Sequence, residues 1–418
     1  MLFSEKDLSL VDLKRIVEII VVAIVFSASV APMGVQVPFF FLIIISLFIL
    51  IFDRTHNYFE LSRYDVLVLV AMLLNPIAVI VNMMLHGFWD WSELDNPARY
   101  IYATSVYLVL RKFLINESSK RLIMWGCLFG LLASTLFFAS DYSPGVRAQV
   151  GYSHPISFGN VVAIQIAVLT VFLFSTRSRN LFILLIIACT GGLACIVASG
   201  TRGSFLVLIA SIVPLVLCDN RNRNMLVILF GIALFFVILI GTNQIGRLLT
   251  SVSGFKCFIT DGSICDGSVS MRLEMYRVGL IAWRDNIFTG WGVGNAQQAV
   301  EVTIASSLAN VADGFRSFDH LHNEFLSTLL EQGVVGAFGL VASISILLGL
   351  GLKISLTHSI TPGRAPLEGI LCLTFVAGVT ISGFSQVNSG HADMISYIAV
   401  TTGIYFALAS GGTANARS

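Results

Sequence analysis

The sequence predicts an all-α polytopic membrane protein of about twelve transmembrane helices, and three observations carry that prediction. The 418 residues are 56% hydrophobic and only 12% charged, whereas an ordinary soluble domain carries about 25% charged residues. Apolar runs of about 20 residues, the length that crosses a bilayer as a helix, recur along the chain. Basic residues collect on alternate connections, as retention of positive charge in the cytoplasm requires.

Taken in order, the spans fall near 16–33, 36–52, 65–85, 98–115, 121–140, 155–176, 180–198, 203–218, 223–242, 322–353, 367–387 and 391–410. With the N-terminus inside, Lys14, Arg15, Arg63, Arg111, Lys112, Arg177, Arg179 and Lys353 lie on the cytoplasmic side with most of the other basic residues. The short outer connections then hold Arg99, Arg147 and Arg202, and both termini are cytoplasmic. The first apolar run is long, follows Glu5, Asp7 and Asp12, and lacks a small-residue cleavage site. It is expected to remain as a span. The net charge of +1 identifies no class of partner.

The chain divides into helices one to nine (1–241), a long outer stretch (242–321) and the last three helices (322–418). Long connections of this kind are usually functional. This one is expected to contain short helices, among them an amphipathic segment over 270–286. Met271, Met275, Val278 and Ile281 or Ala282 share one of its faces, and it is expected to lie along the membrane surface. The run F-T-G-W-G-V-G-N, 288–295, is glycine-rich but lacks the strand and helix that a nucleotide-binding turn needs. It reads as a tight turn with close backbone packing. Cys127, Cys189, Cys195, Cys218 and Cys372 fall in or beside apolar runs, where free cysteine serves as a small hydrophobe. Cys257 and Cys265 lie in the outer stretch, where an oxidising compartment would join them in a disulfide.

Ionisable groups at membrane depth are costly, so those not explained by orientation signals are functional candidates. They gather on the outer face. Arg147 and His154 flank the start of the sixth span, Arg202 sits in S-G-T-R-G, and Arg272 opens S-M-R-L-E-M-Y-R. A guanidinium keeps its charge and grips phosphate oxygens in two places at once, which suits a cationic pocket. The alternative for Arg202 is snorkelling to headgroups; for Arg272 it is a solvated row shared with Arg277 and Arg284.

The richest cluster is F-D-H-L-H-N-E-F, where the outer stretch returns to the membrane. His320 and His322 are two apart, which diverges on a helix, and no further ligands stand at a recognisable spacing, so a metal site is disfavoured. Helix capping is one reading of these histidines and a general base is the other. Imidazole near pKa 6.5 suits removal of a hydroxyl proton. His322 is the chosen base; His320 and Asn323 are assigned to substrate binding with Arg147 and His154. In Q-V-N-S-G-H-A-D, Gln386, Asn388, His391 and Asp393 are candidates for sugar hydroxyls, with a plain polar turn as the alternative.

The run H-N, nine residues, G-V-V-G, from His322 and Asn323 to Gly333 and Gly336, resembles the signature of O-antigen ligases within the O-antigen ligase and polymerase superfamily. S-G-T-R-G, S-M-R-L-E-M-Y and G-W-G-V-G resemble that superfamily too, in matching order, over about residues 140–345. The resemblance implies a helical glycosyltransferase of the GT-C type in the inner membrane of a Gram-negative bacterium. Its periplasmic site would move O-antigen from undecaprenyl pyrophosphate to a sugar hydroxyl of lipid A core, with inversion and without metal, nucleotide or other cofactor. On this chain it implies His322 as base and Arg202 and Arg272 as pyrophosphate ligands; the neighbouring His320 departs from a unique base. The sibling alternatives are an O-antigen polymerase and, further off, an oligosaccharyltransferase acting on protein. A transporter or flippase is the alternative from another class, but neither internal repeats nor paired interrupted helices are visible.

Overall fold

The computed structural model describes residues 10–53, 57–87, 89–114, 117–140, 146–150, 152, 154–218, 242–261, 268–306, 320–357 and 366–415. Most of these residues are helical, with no strand among them. The helices are α1 (Leu10–Ser27), α2 (Pro32–Phe52), α3 (Arg63–His86), α4 (Trp91–Phe113), α5 (Glu117–Ser140), α6 (Pro155–Ser175), α7 (Arg179–Ser199) and α8 (Arg202–Cys218). They continue as α9 (Thr242–Asp261), α10 (Ser268–Trp283) with a 3₁₀ turn at Arg284–Asn286, α11 (Ala296–Ala305), α12 (Glu324–Thr357), α13 (Leu367–Ser385) and α14 (Ala392–Asn415).

Eight of the described helices are long and apolar enough to cross a membrane: α2, α3, α5, α6, α7, α12, α13 and α14. Three more coincide with expected spans. Helix α1 carries Asp12, Lys14, Arg15 and Glu18, α4 carries Glu93, Asp95, Arg99, Arg111 and Lys112, and α8 has 17 residues. The expected span at 223–242 lies almost wholly outside the described residues, and only Thr242 of it is seen, as the first residue of α9.

Helix α6 is the central rod. Pro155 opens it, where the missing N–H costs nothing, and it is apolar on every side and buried throughout. A helix with no polar face belongs inside a bundle. Among its few polar groups, Gln165 Nε2 donates to Val25 O at 2.7 Å, and Asn160 Oδ1 accepts from Ser204 Oγ on α8 at 2.8 Å. Around it pack α5, α7, α8 and α13, while α12 lies against α3 and α13, and α14 against α4.

At one end of the bundle a capping box between Ser62 and Asp65 starts α3. The same Asp65 carboxylate meets the Arg111 guanidinium at 2.6 Å, and both are almost fully buried. Tyr107 and Ser410 hydroxyls also donate to it, at 2.6 and 2.9 Å. One carboxylate therefore ties together the start of α3 and the ends of α4 and α14. Because Asp65 opens α3 while Arg111 closes α4, the starts of α4 and α14 must lie at the opposite end.

At that opposite end α12 is broken. Gly333 has φ 63° and ψ −160°, and the 287–294 turn is strapped over the break. Val334 N–H donates to Ile287 O at 3.0 Å, Trp291 N–H to Leu330 O at 3.0 Å and Gly292 N–H to Glu331 O at 2.8 Å. A Cβ on Gly333 would lie 2.3 Å from the Phe288 carbonyl, so only glycine meets both the positive φ and the close approach. The glycine-rich run is thus the tight packing turn that its flanks predict.

Helix α10 and its 3₁₀ turn match the expected segment, but the surface-lying expectation is corrected. Met275, Val278 and Ala282 are buried with Ala299, Val300, Leu321 and Leu330. The apolar face is consumed by α11 and the start of α12 and is not left for lipid.

Candidate functional site

The end of the bundle that carries the strap also gathers polar side chains from segments far apart in sequence. Four histidines form a chain: the His320 and His322 ring centroids are 4.6 Å apart, His320 and His391 5.9 Å, and His391 and His154 6.1 Å. They arrive from the start of α6, the residues before α12 and the turn before α14.

Local structure fixes each one. His154 is the N-cap of α6, with its Nδ1 accepting from Ile156 N–H at 3.3 Å. Asn323 Oδ1 accepts from Leu326 N–H at 3.1 Å, and the Ser327 hydroxyl accepts from Leu321 N–H at 3.2 Å. That cap aims the preceding residues, and His322 is left with φ 50°, a left-handed conformation that a non-glycine residue adopts only under constraint, at a cost of order 1–3 kcal/mol. The side-chain oxygen of Asn323 is therefore engaged at the helix start. Asp393 is buried and accepts from Met394 N–H at 2.8 Å. Gln386 and His391 side chains are in direct contact.

Electrostatics acts in one direction on these rings. Burial, then the neighbouring charges of His320, Arg272 and His154, push the His322 imidazole down to about 4, with Gln386 opposing. Burial also lowers His154, helped by Arg147, His320 and Arg272 and opposed by Asp393. His391 is lowered by burial, with Asp393 pulling it up and His320 and His154 pulling it down. The His322 ring is neutral at ordinary pH, and among the described residues its Nδ1 is buried without a hydrogen-bond partner. An unmet buried polar atom costs about 1–3 kcal/mol, which a substrate group would relieve.

The arginines approach from two directions. Arg272, on the first turn of α10, is near enough for its charge to act on both His322 and His154. Arg147 is anchored, its Nε donating to Ser199 O at 2.7 Å and a terminal nitrogen to Thr201 Oγ1 at 3.1 Å. Arg202 opens α8 immediately after Gly200, the left-handed cap of α7, and Thr201. The next residue, Gly203, lies so close to Ser385 that a Cβ there would stand 2.7 Å from that side chain's Cβ. Arg202 is thus at the end of α13, beside the turn that carries Gln386.

Below this turn, between α3, α4, α12, α13 and α14, lies a small cavity of about 60 Å³. Tyr100, Glu324, Asn388 and Ser389 line its polar end, and Leu347, Phe375, Val376 and Ile398 its apolar walls. The structure brings together His154, His320, His322, His391, Arg147, Arg272 and Asp393. Cys257 is disulfide-bonded, while Cys265 lies outside the described residues. Glu324 and Asn96, both of which reach the Ser389 turn, escaped the sequence reading. A usable signal was Arg99, an outer arginine against the orientation bias and three residues after Asn96.

Residues 185–341 match the family model described as O-antigen ligase. No curated protein matches the chain.

Proposed function

The chain carries a domain of the O-antigen ligase and polymerase superfamily, and from that premise we propose that it is an O-antigen ligase of the bacterial inner membrane. It moves undecaprenyl-pyrophosphate-linked O-antigen onto a hydroxyl of lipid A core at a periplasmic site. The observation that carries this reading is His322, a neutral imidazole whose Nδ1 has no hydrogen-bond partner among the described residues, set among histidines within reach of the Arg272 charge.

In the proposed reaction the acceptor hydroxyl attacks the anomeric carbon from the face opposite the diphosphate. His322 takes the hydroxyl proton as the new glycosidic bond forms. The bond from the anomeric carbon to the phosphate oxygen breaks, its electron pair leaves with undecaprenyl diphosphate, and the configuration inverts. Arg272 and Arg202 offset the negative charge that builds on the leaving group, an effect strengthened where water is excluded. A bound diphosphate also raises the basicity of His322, since nearby negative charge favours the imidazolium. His154, His320 and His391 supply polar contacts for sugar hydroxyls, with Arg147 and Asp393 at the margin. The fold would then be a GT-C-type arrangement of about twelve spans with both termini cytoplasmic, and Cys257 would pair with Cys265.

The deciding experiment supplies the purified protein with a lipid-linked oligosaccharide donor and either lipid A core or a second lipid-linked unit. Product on lipid A core supports the ligase. Elongated lipid-linked glycan makes the protein a polymerase, the sibling activity of the same superfamily. Movement of the donor across reconstituted vesicles with no covalent product would replace both with a transport function.

A further inference from the structure

Both backbone groups of Ser389 are held by side chains from other helices. Its N–H donates to Glu324 Oε2 at 3.0 Å, and its carbonyl accepts from Asn96 Nδ2 at 2.8 Å. Glu324 is the first residue of α12, two positions from His322; Asn96 comes from α4. A second anchor lies just beyond, where Arg99 donates to Ala392 O at 2.6 Å and to Ser396 Oγ at 2.5 Å. The turn so gripped runs from Gln386 to His391, whose side chains touch across it. His391 faces His320, and Gln386 acts on His322.

Glu324 is 7% exposed, and among the described residues no cation pairs with it. An ionised carboxylate taken out of water without a counter-charge is expensive. Solvation here comes from backbone N–H groups and from the positive end of α12. Gly383 packs against the Glu324 Cβ, with 3.2 Å separating that carbon from the position a Cβ on the glycine would take. Such an arrangement does little for the bundle that an apolar residue would not do better. What it does achieve is a fixed register between the segment that carries His322 and the turn that carries Gln386 and His391.

We propose that Glu324 and Asn96 are positioning residues that clamp the Ser389 peptide and thereby hold the Gln386 and His391 wall against His322. Neither need touch substrate. The inference rests on the ligase or polymerase reading of the site, because its readout is glycan transfer.

The test is a double-mutant cycle in the purified two-lipid assay. Glu324→Leu removes the acceptor; Glu324→Gln keeps an oxygen that can take the Ser389 N–H. Glu324→Leu is expected to lower kcat by up to roughly a hundredfold, the scale of a small misplacement at a reacting centre, with KM little changed and with Glu324→Gln restoring most of the rate. Combined with His391→Ala, Glu324→Leu should add almost nothing, because residues acting through one another are non-additive. Wild-type rates in Glu324→Leu, no rescue by glutamine, or full additivity with His391→Ala would each overturn the clamp. If Glu324→Leu cannot be extracted folded, Asn96→Ala, which frees the other side of the same peptide, is put through the same cycle. An inactive wild-type protein with both acceptors would instead sink the underlying functional reading.

Discussion

The His320 and His391 rings meet edge to face with centroids 5.9 Å apart, joining the residues before α12 to the turn before α14. Position along the chain gives no hint of this contact. It makes one polar wall from two candidates that the sequence shows separately, and it ranks the histidines. Among the described residues, His322 alone combines a left-handed backbone, an Nδ1 with no hydrogen-bond partner and the influence of Arg272. His322→Ala should therefore lower transfer by roughly a hundredfold to ten-thousandfold, the usual worth of a general base. His320→Ala should lose less; equal losses, or full transfer by His322→Ala in the two-lipid assay, would remove the assignment.

The acid limb of kcat/KM should fall near pH 4 in place of the ordinary imidazole range, since His322 is lowered to about 4. The sign for stability follows from the same shift. An imidazole whose folded pKa is below its unfolded one binds more protons when unfolded, so folding weakens as pH falls from about 6.5 toward 4 and is unaffected above that window. Activity against pH and unfolding midpoints in detergent measure the two effects separately. A rate limb near 6.5 would contradict the buried, charge-flanked ring.

Arg202→Ala and Arg272→Ala should each leave a folded, inserted protein whose transfer rate is reduced roughly a hundredfold to a thousandfold. Lysine at either position should restore little, because a point charge does not reproduce a planar two-pronged grip on phosphate. Rates of all four variants at saturating donor provide the check. Recovery by lysine would mean that charge alone suffices.

At the opposite end, Arg111→Ala should destabilise the bundle by about 3–5 kcal/mol, the typical cost of stranding one member of a buried ion pair. Replacing Asp65 and Arg111 together by apolar residues should cost less than the single change. Thermal unfolding of the detergent-solubilised protein decides this. The enzyme that remains folded should keep its KM, since the pair lies a full bundle length from the histidines.

Cys257 and Cys265 should be found in one disulfide-linked peptide when the unreduced protein is digested and weighed. Two free thiols would break the pairing.

Much of the fold was legible because each element announces itself locally. Helix α6 is an uninterrupted apolar run behind Pro155, α7 ends at Gly200, and α3 starts with a Ser62 and Asp65 box. His154, Arg147 and Arg272 were visible for the opposite reason, as polar groups where lipid is expected. What stayed hidden depends on helix-to-helix register. Glu324 looks like an ordinary acidic residue in a first turn, and its hold on Ser389 exists only because α12 lies beside the turn before α14. The apolar face of α10 was equally ambiguous, since Met275 and Val278 would suit lipid as well as the Leu321 and Leu330 that cover them.

The break at Gly333 separates α12 into two mechanical parts. The longer part, from Val334 to Thr357, is packed along α3 and α13, and its Ser343 hydroxyl donates to Ala71 O at 2.6 Å. The short upper part, from Glu324 to Gln332, is bolted to the 287–294 strap and through it to the end of α3, where Asn82 Nδ2 donates to Thr289 O at 2.6 Å. Because Val334 and Val335 donate to the same strap that takes up Leu330 and Glu331, the bend at Gly333 is braced from both sides, which sets the direction from which α12 delivers His322.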